Sequence, residues 1–126
     1  MLHSCLILGD SIAVGLSWVI KGCTVVAKVG MSSAWILAHA YSGNFDTVYI
    51  SSGSNDPYNP ALESNLIQTR QRYKNSRIIW IAPVNQNAHK KIYLAAQPND
   101  VIVSFTPGPD HVHPRSYQEL AAKTKI

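Results

Sequence analysis

Short apolar runs recur along the chain, and between them apolar residues return at every third or fourth position. The runs fall at residues 5–8, 24–29, 47–50, 78–81 and 101–105 and are rich in Val and Ile. A strand with one wet face alternates polar and apolar residues. These runs do not, so each is expected to be covered on both faces, as in a parallel sheet. Helical spacing fills the gaps near 12–20, 33–40 and 88–96, and after Pro114 through Tyr117, Leu120 and Ala121. A further helix is expected from Asn59 onward, with Leu62, Leu66, Ile67 and Tyr73 on its apolar side. There Asn59 reads as an N-cap and Pro60 as the first helical residue. Five such repeats predict an α/β fold, a three-layer α/β/α sandwich of flavodoxin-like type on a five-stranded parallel sheet. At 126 residues the chain is expected to form a single domain, 1–126, around one core.

In doubly wound folds ligands bind beyond the carboxyl ends of the strands. Four of the five runs end in loops rich in Gly and polar residues. They are Gly9-Asp10-Ser11, Gly30-Met31-Ser32-Ser33, Gly53-Ser54-Asn55-Asp56 and the segment from Pro107 through Asp110 and His113 to Pro114. The sorting of these residues to one rim is the first functional signal.

A serine hydroxyl becomes a useful nucleophile when a base takes its proton and a third group orients the base. Asp110 and His113 stand three residues apart in a proline-braced loop, a spacing that would let the carboxylate accept from Nδ1 while Nε2 faces Ser11. Negative charge developing on a carbonyl oxygen needs fixed donors. The candidates are the backbone N–H groups of Ser11 and Gly30 and the side-chain amide of Asn55.

These blocks together resemble those of the SGNH (GDSL-type) hydrolases. Gly9-Asp10-Ser11-Ile12 is similar to the first block with Ile for the usual Leu, and Gly30 matches the glycine of the second. Gly53-Ser54-Asn55-Asp56 matches G-x-N-D, and Asp110-His111-Val112-His113 matches D-x-x-H. The resemblance implies a carboxylic ester hydrolase with Ser11, Asp110 and His113 as catalytic residues and Ser11, Gly30 and Asn55 as oxyanion hole. It implies an acyl-enzyme intermediate and neither metal nor cofactor. The second block departs from the family, reading Gly-Met-Ser-Ser where many members have Gly-x-Ser-Gly. The chain is also short for the family, which implies trimmed loops and an open site.

Each residue has a plainer reading when taken singly. Ser11 alone is a helix cap, Asn55 a turn residue, and Gly30 and Gly53 turn glycines. Asp10 and Asp56 read as carboxylates that brace loops. His111 lies off the D-x-x-H spacing, and His3, His39 and His89 show no partner in the sequence. Trp35, beside Ile36 and Leu37, reads as core. Tyr58 and Asn85 are the candidate substrate-binding residues, because both lie in loops on the same rim. The absence of lid insertions points to a short acyl group, acetyl for instance, carried on a small molecule or carbohydrate. The rival reading is a module on the same fold that binds acylated glycans without turnover.

Composition narrows the remaining classes. Cys5 and Cys23 lie at apolar runs and are expected to be buried free thiols. No apolar segment is long enough to span a bilayer, and the N-terminal residues lack the basic start of a signal peptide, so a soluble chain is expected. The net charge is +4, with Arg70, Arg72, Lys74 and Arg77 clustered at the end of one helix. A solvated helix end explains that cluster, and only Tyr73 is interleaved as a stacking ring, which argues against nucleic acid. Nothing in the pattern sets the oligomeric state.

Overall fold

The computed structural model describes residues 4–125, so His3 lies outside the described residues. The elements run β1 (Cys5–Gly9), α1 (Ser11–Ser17), β2 (Thr24–Ala27), α2 (Ser33–Ala38), β3 (Thr47–Ser51), α3 (Leu62–Gln71), β4 (Arg77–Ile81), α4 (Gln86–Ala95), β5 (Val101–Val103) and α5 (Tyr117–Lys123). All strands pair in parallel in the order β2-β1-β3-β4-β5. This is the expected three-layer flavodoxin-like sandwich. No helix among the described residues is long and apolar enough to cross a membrane.

The uninterrupted apolar runs are explained by two cores, one on each face of the sheet. From β4, Ile78 and Trp80 enter the core shared with Ile36, Leu62, Leu66 and Ile92 of α2, α3 and α4. Ile79 and Ile81 enter the other, with Ile12 and Leu16 of α1 and Leu120 and Ala121 of α5. Alternate residues of a strand point to opposite faces, so a strand feeding both cores has no polar position to spare. Trp80 is fully buried, and its indole N–H donates to Asp100 Oδ2 at 3.0 Å.

Several boundaries differ from the sequence expectation. β2 ends at Ala27 and β5 at Val103, since both are edge strands with a neighbour on one side only; Val25 and Val29 are exposed. The helix expected to begin at Pro60 starts at Leu62. Asn59 Oδ1 instead accepts from the Ala61 N–H, and its carbonyl accepts from Leu62 N–H, which makes Asn59-Pro60-Ala61 a turn leading into α3.

The expectation of free buried thiols was wrong. Cys5 and Cys23 form a disulfide, and both are only half-buried. The reason lies in the register: Leu6 pairs with Thr24, an offset of 18, so the residues before them face each other across β1 and β2. Arg70 also leaves the solvated cluster to which its sequence neighbours assign it. It is buried, its guanidinium holds Asp100 through Nε at 2.9 Å and Nη2 at 3.0 Å, and Nη1 donates to the Tyr73 carbonyl. Arg72, Lys74 and Arg77 remain exposed.

Candidate functional site

The first turn of α1 begins where β1 ends. Gly9 has φ of 151°, and a Cβ there would stand 2.0 Å from the Ser51 carbonyl oxygen, so only glycine lets β1 approach β3 this closely. Asp10 caps α1, its Oδ1 accepting from Ile12 N–H at 3.1 Å and from the Ser51 hydroxyl at 2.8 Å. It is fully buried, and Oδ2 finds no partner among the described residues. Desolvation outweighs the hydrogen bonds and pushes its carboxyl up to about 6. The cap is therefore Asp10, and Ser11, which read singly as a cap, is released to face the rim.

Ser11 Oγ lies 2.7 Å from His113 Nε2, and His113 Nδ1 lies 2.5 Å from Asp110 Oδ2. An ionised carboxylate only accepts, so Nδ1 carries the proton; in the neutral imidazole Nε2 then accepts from the Ser11 hydroxyl. Asp110 Oδ1 accepts from the N–H groups of Val112 and His113, each at 2.9 Å. Those backbone donors, followed by the imidazole, hold the carboxyl well below the usual carboxylate range although it is exposed. The loop is closed at its base: Pro107 bridges Pro114, Gly108 N–H donates to the His113 carbonyl, and Arg115 N–H to the Thr106 carbonyl.

The other candidates occupy the adjoining loops. Gly30 has φ of 81°, and a Cβ there would meet open space, so its backbone conformation alone calls for glycine. Asn55 Nδ2 donates to the Met31 carbonyl at 2.9 Å, tying the loop after β3 to the loop after β2 beside Gly30. Asp56 accepts from the Ser33 N–H at 3.0 Å and the Ser33 hydroxyl at 2.6 Å, which braces the start of α2. Asn85 caps α4 through Oδ1, and its amide nitrogen lies 3.3 Å from the hydroxyl of exposed Tyr58. Trp35 packs against the core and stacks on His39 at 3.9 Å. The expectation that His39 and His89 lack partners fails: each has Nδ1 within hydrogen-bond distance of a carbonyl, that of Trp35 and of Pro83 respectively.

Two residues of the site escaped the sequence. Ser51 holds Asp10, a role signalled by its position opposite Gly9 in the β1–β3 register. Tyr117 packs on Gly15 so closely that a Cβ there would stand 2.1 Å from the ring. Burial raises the Tyr117 phenol, and the charges of Asp10 and Asp110 add to the effect. A pocket of about 230 Å³ lies among the rim loops, lined by Ser54, Pro57, Val84, Asn85, His111 and Val112. A larger cleft of about 550 Å³, between segments 42–46 and 71–76, contains none of the candidate site residues.

No family model matches the chain, and no curated protein does. Among solved structures it is similar to the C-terminal catalytic domain of Streptococcus pneumoniae peptidoglycan O-acetyltransferase A (OatA), determined with a methylsulfonyl adduct. The TM-score is 0.59 at 18% identity, over 95% of this chain and 84% of that one. At that identity the likeness establishes the shared fold.

Proposed function

We propose that this chain is a serine esterase of the SGNH kind that acts on short acyl esters, acetyl foremost, carried on carbohydrate. The observation that carries the reading is the continuous chain from Ser11 Oγ through His113 to Asp110. Ser11 attacks the ester carbonyl carbon as its proton passes to His113 Nε2. The ester C–O bond then breaks, and His113 returns the proton to the departing alkoxide, leaving an acyl-Ser11. Water repeats the sequence, releasing the carboxylic acid and restoring Ser11. Asp110 stays ionised and stabilises the imidazolium. The N–H groups of Ser11 and Gly30 and the free amide hydrogen of Asn55 are the proposed oxyanion donors. The solved neighbour, by its description an O-acetyltransferase of peptidoglycan, supports acyl transfer as the reaction class. The Cys5–Cys23 disulfide favours an oxidising compartment as the site of action.

The test begins with a fluorophosphonate and adduct mapping by mass spectrometry. Stoichiometric labelling at Ser11, abolished in His113→Ala, is expected. A folded but unlabelled protein would favour the non-catalytic binding module instead. Turnover of p-nitrophenyl acetate should exceed that of the butyrate and octanoate; activity rising with chain length overturns the short-acyl assignment. Acetate release in water, compared with acetyl transfer to an added glycan, decides between hydrolase and transferase.

A further inference from the structure

His111 is the one described non-glycine residue with positive φ, 61°. Its N–H closes a turn onto the Gly108 carbonyl at 3.0 Å. A side chain seldom adopts this conformation, and the strain-free choice is glycine. His111 nevertheless lines the rim pocket with Asn85, Ser54, Val84, Val112 and Pro57. Strained residues of this kind gather at ligand sites. The pocket joins three loops: the one carrying Asp110 and His113, the one carrying Asn55, and the one that starts α4. Its lining pairs hydrogen-bonding side chains with aliphatic faces, and its volume of about 230 Å³ is too small for a large ligand. An acyl chain would want apolar walls throughout, whereas a sugar ring presents hydroxyls at its edge and C–H groups on its face.

We infer that this pocket binds the sugar ring of the alcohol part of the ester and that the His111 imidazole hydrogen-bonds a ring hydroxyl, with Asn85 and Ser54 beside it. The inference deepens the esterase reading and rests on it for the identity of the leaving group. The test compares kcat/KM for 6-O-acetylglucose with that for p-nitrophenyl acetate, which lacks the sugar. In His111→Gly the ratio should fall about tenfold, as expected for one lost hydrogen bond. Its Tm should hold or rise, because the strained position is relieved. His111→Asn, which tolerates positive φ and keeps a polar group, should restore most of the ratio. An unchanged ratio in His111→Gly, or a lowered Tm, overturns the subsite. Binding of 6-O-acetylglucose to the Ser11→Ala protein, followed by ligand-observed NMR, should weaken about tenfold when His111→Gly is added. This arm separates the two claims: His111-dependent binding without Ser11 labelling sustains the subsite and sinks the esterase. Labelling with His111-independent binding does the reverse.

Discussion

Replacing Asp10 by Asn tests the charge buried beneath the candidate nucleophile. The Asp10 carboxyl rises from the ordinary 3.8 to about 6 because desolvation exceeds what its hydrogen bonds return. A folded-state pKa above the unfolded one means that the native protein binds the proton more tightly. The associated stability is fully present below pH 3.8 and is lost as pH rises through 6. The whole effect is worth about 3 kcal/mol, at roughly 1.4 kcal/mol per tenfold change in proton affinity. Most of it falls between pH 4 and pH 8. Asparagine preserves the cap, since its Oδ1 can accept from Ile12 N–H and the Ser51 hydroxyl as the carboxylate does. It does not titrate. Urea unfolding followed by tryptophan fluorescence should therefore show Asp10→Asn gaining about 2–3 kcal/mol on the parent protein as pH goes from 4 to 8. The difference between the two curves cancels every other titrating group. Parallel curves would refute the reasoning, and a gain toward low pH would reverse its sign.

Four further outcomes are expected. Gly15→Ala, which ordinarily strengthens a helix by about 1 kcal/mol, should instead cost about 1–3 kcal/mol because the new Cβ meets the Tyr117 ring; a raised urea midpoint contradicts that packing. Replacing Cys5 and Cys23 together by Ser should lower unfolding free energy by about 3 kcal/mol, the chain-entropy value for a loop of this length. Equal stability of the parent with and without reductant would count against it. Arg70→Ala should cost about 3–5 kcal/mol by leaving the Asp100 carboxylate buried and unpaired, measurable as a loss in the urea midpoint. Asn55→Ala should lower kcat by 10²–10³-fold, roughly 2.7–4 kcal/mol, with little rise in KM; an unchanged kcat removes Asn55 from the proposed oxyanion hole.

The parallel sheet was legible because burial on both faces leaves a mark in composition: β4 has no polar residue between Ile78 and Ile81. The rim was legible because strand ends and Gly-rich loops coincide. The ends of edge strands were not, since Val29 and Phe105 are apolar beyond the last ladder pair of their strands. The disulfide was hidden by treating each cysteine through its neighbours in sequence. Pairing depends on which strands adjoin and at what offset, which no local pattern records. The spacing singled out Asp110 and His113, which the structure brings together, but the cap could not be assigned between Asp10 and Ser11. That choice depends on Ser51, 41 residues from Asp10, donating to it. The unpaired Asp10 oxygen, and with it the raised pKa, follows from burial alone.

The loop after β5 folds back and fastens to itself through the two backbone hydrogen bonds that make the Pro107–Pro114 bridge. Asp110 and His113 thus travel together on one arm of about ten residues, and their mutual geometry is set before Ser11 is met. In engineering terms the arm is a cassette: the Asp110–His113 pairing is internal to it, and its link to Ser11 is a single hydrogen bond. A swing of the arm would break the Ser11 contact while leaving Asp110 and His113 joined. Segment 106–115 is accordingly the unit to transplant or exchange when the Asp110–His113 pair is to be moved intact onto another sheet of this topology.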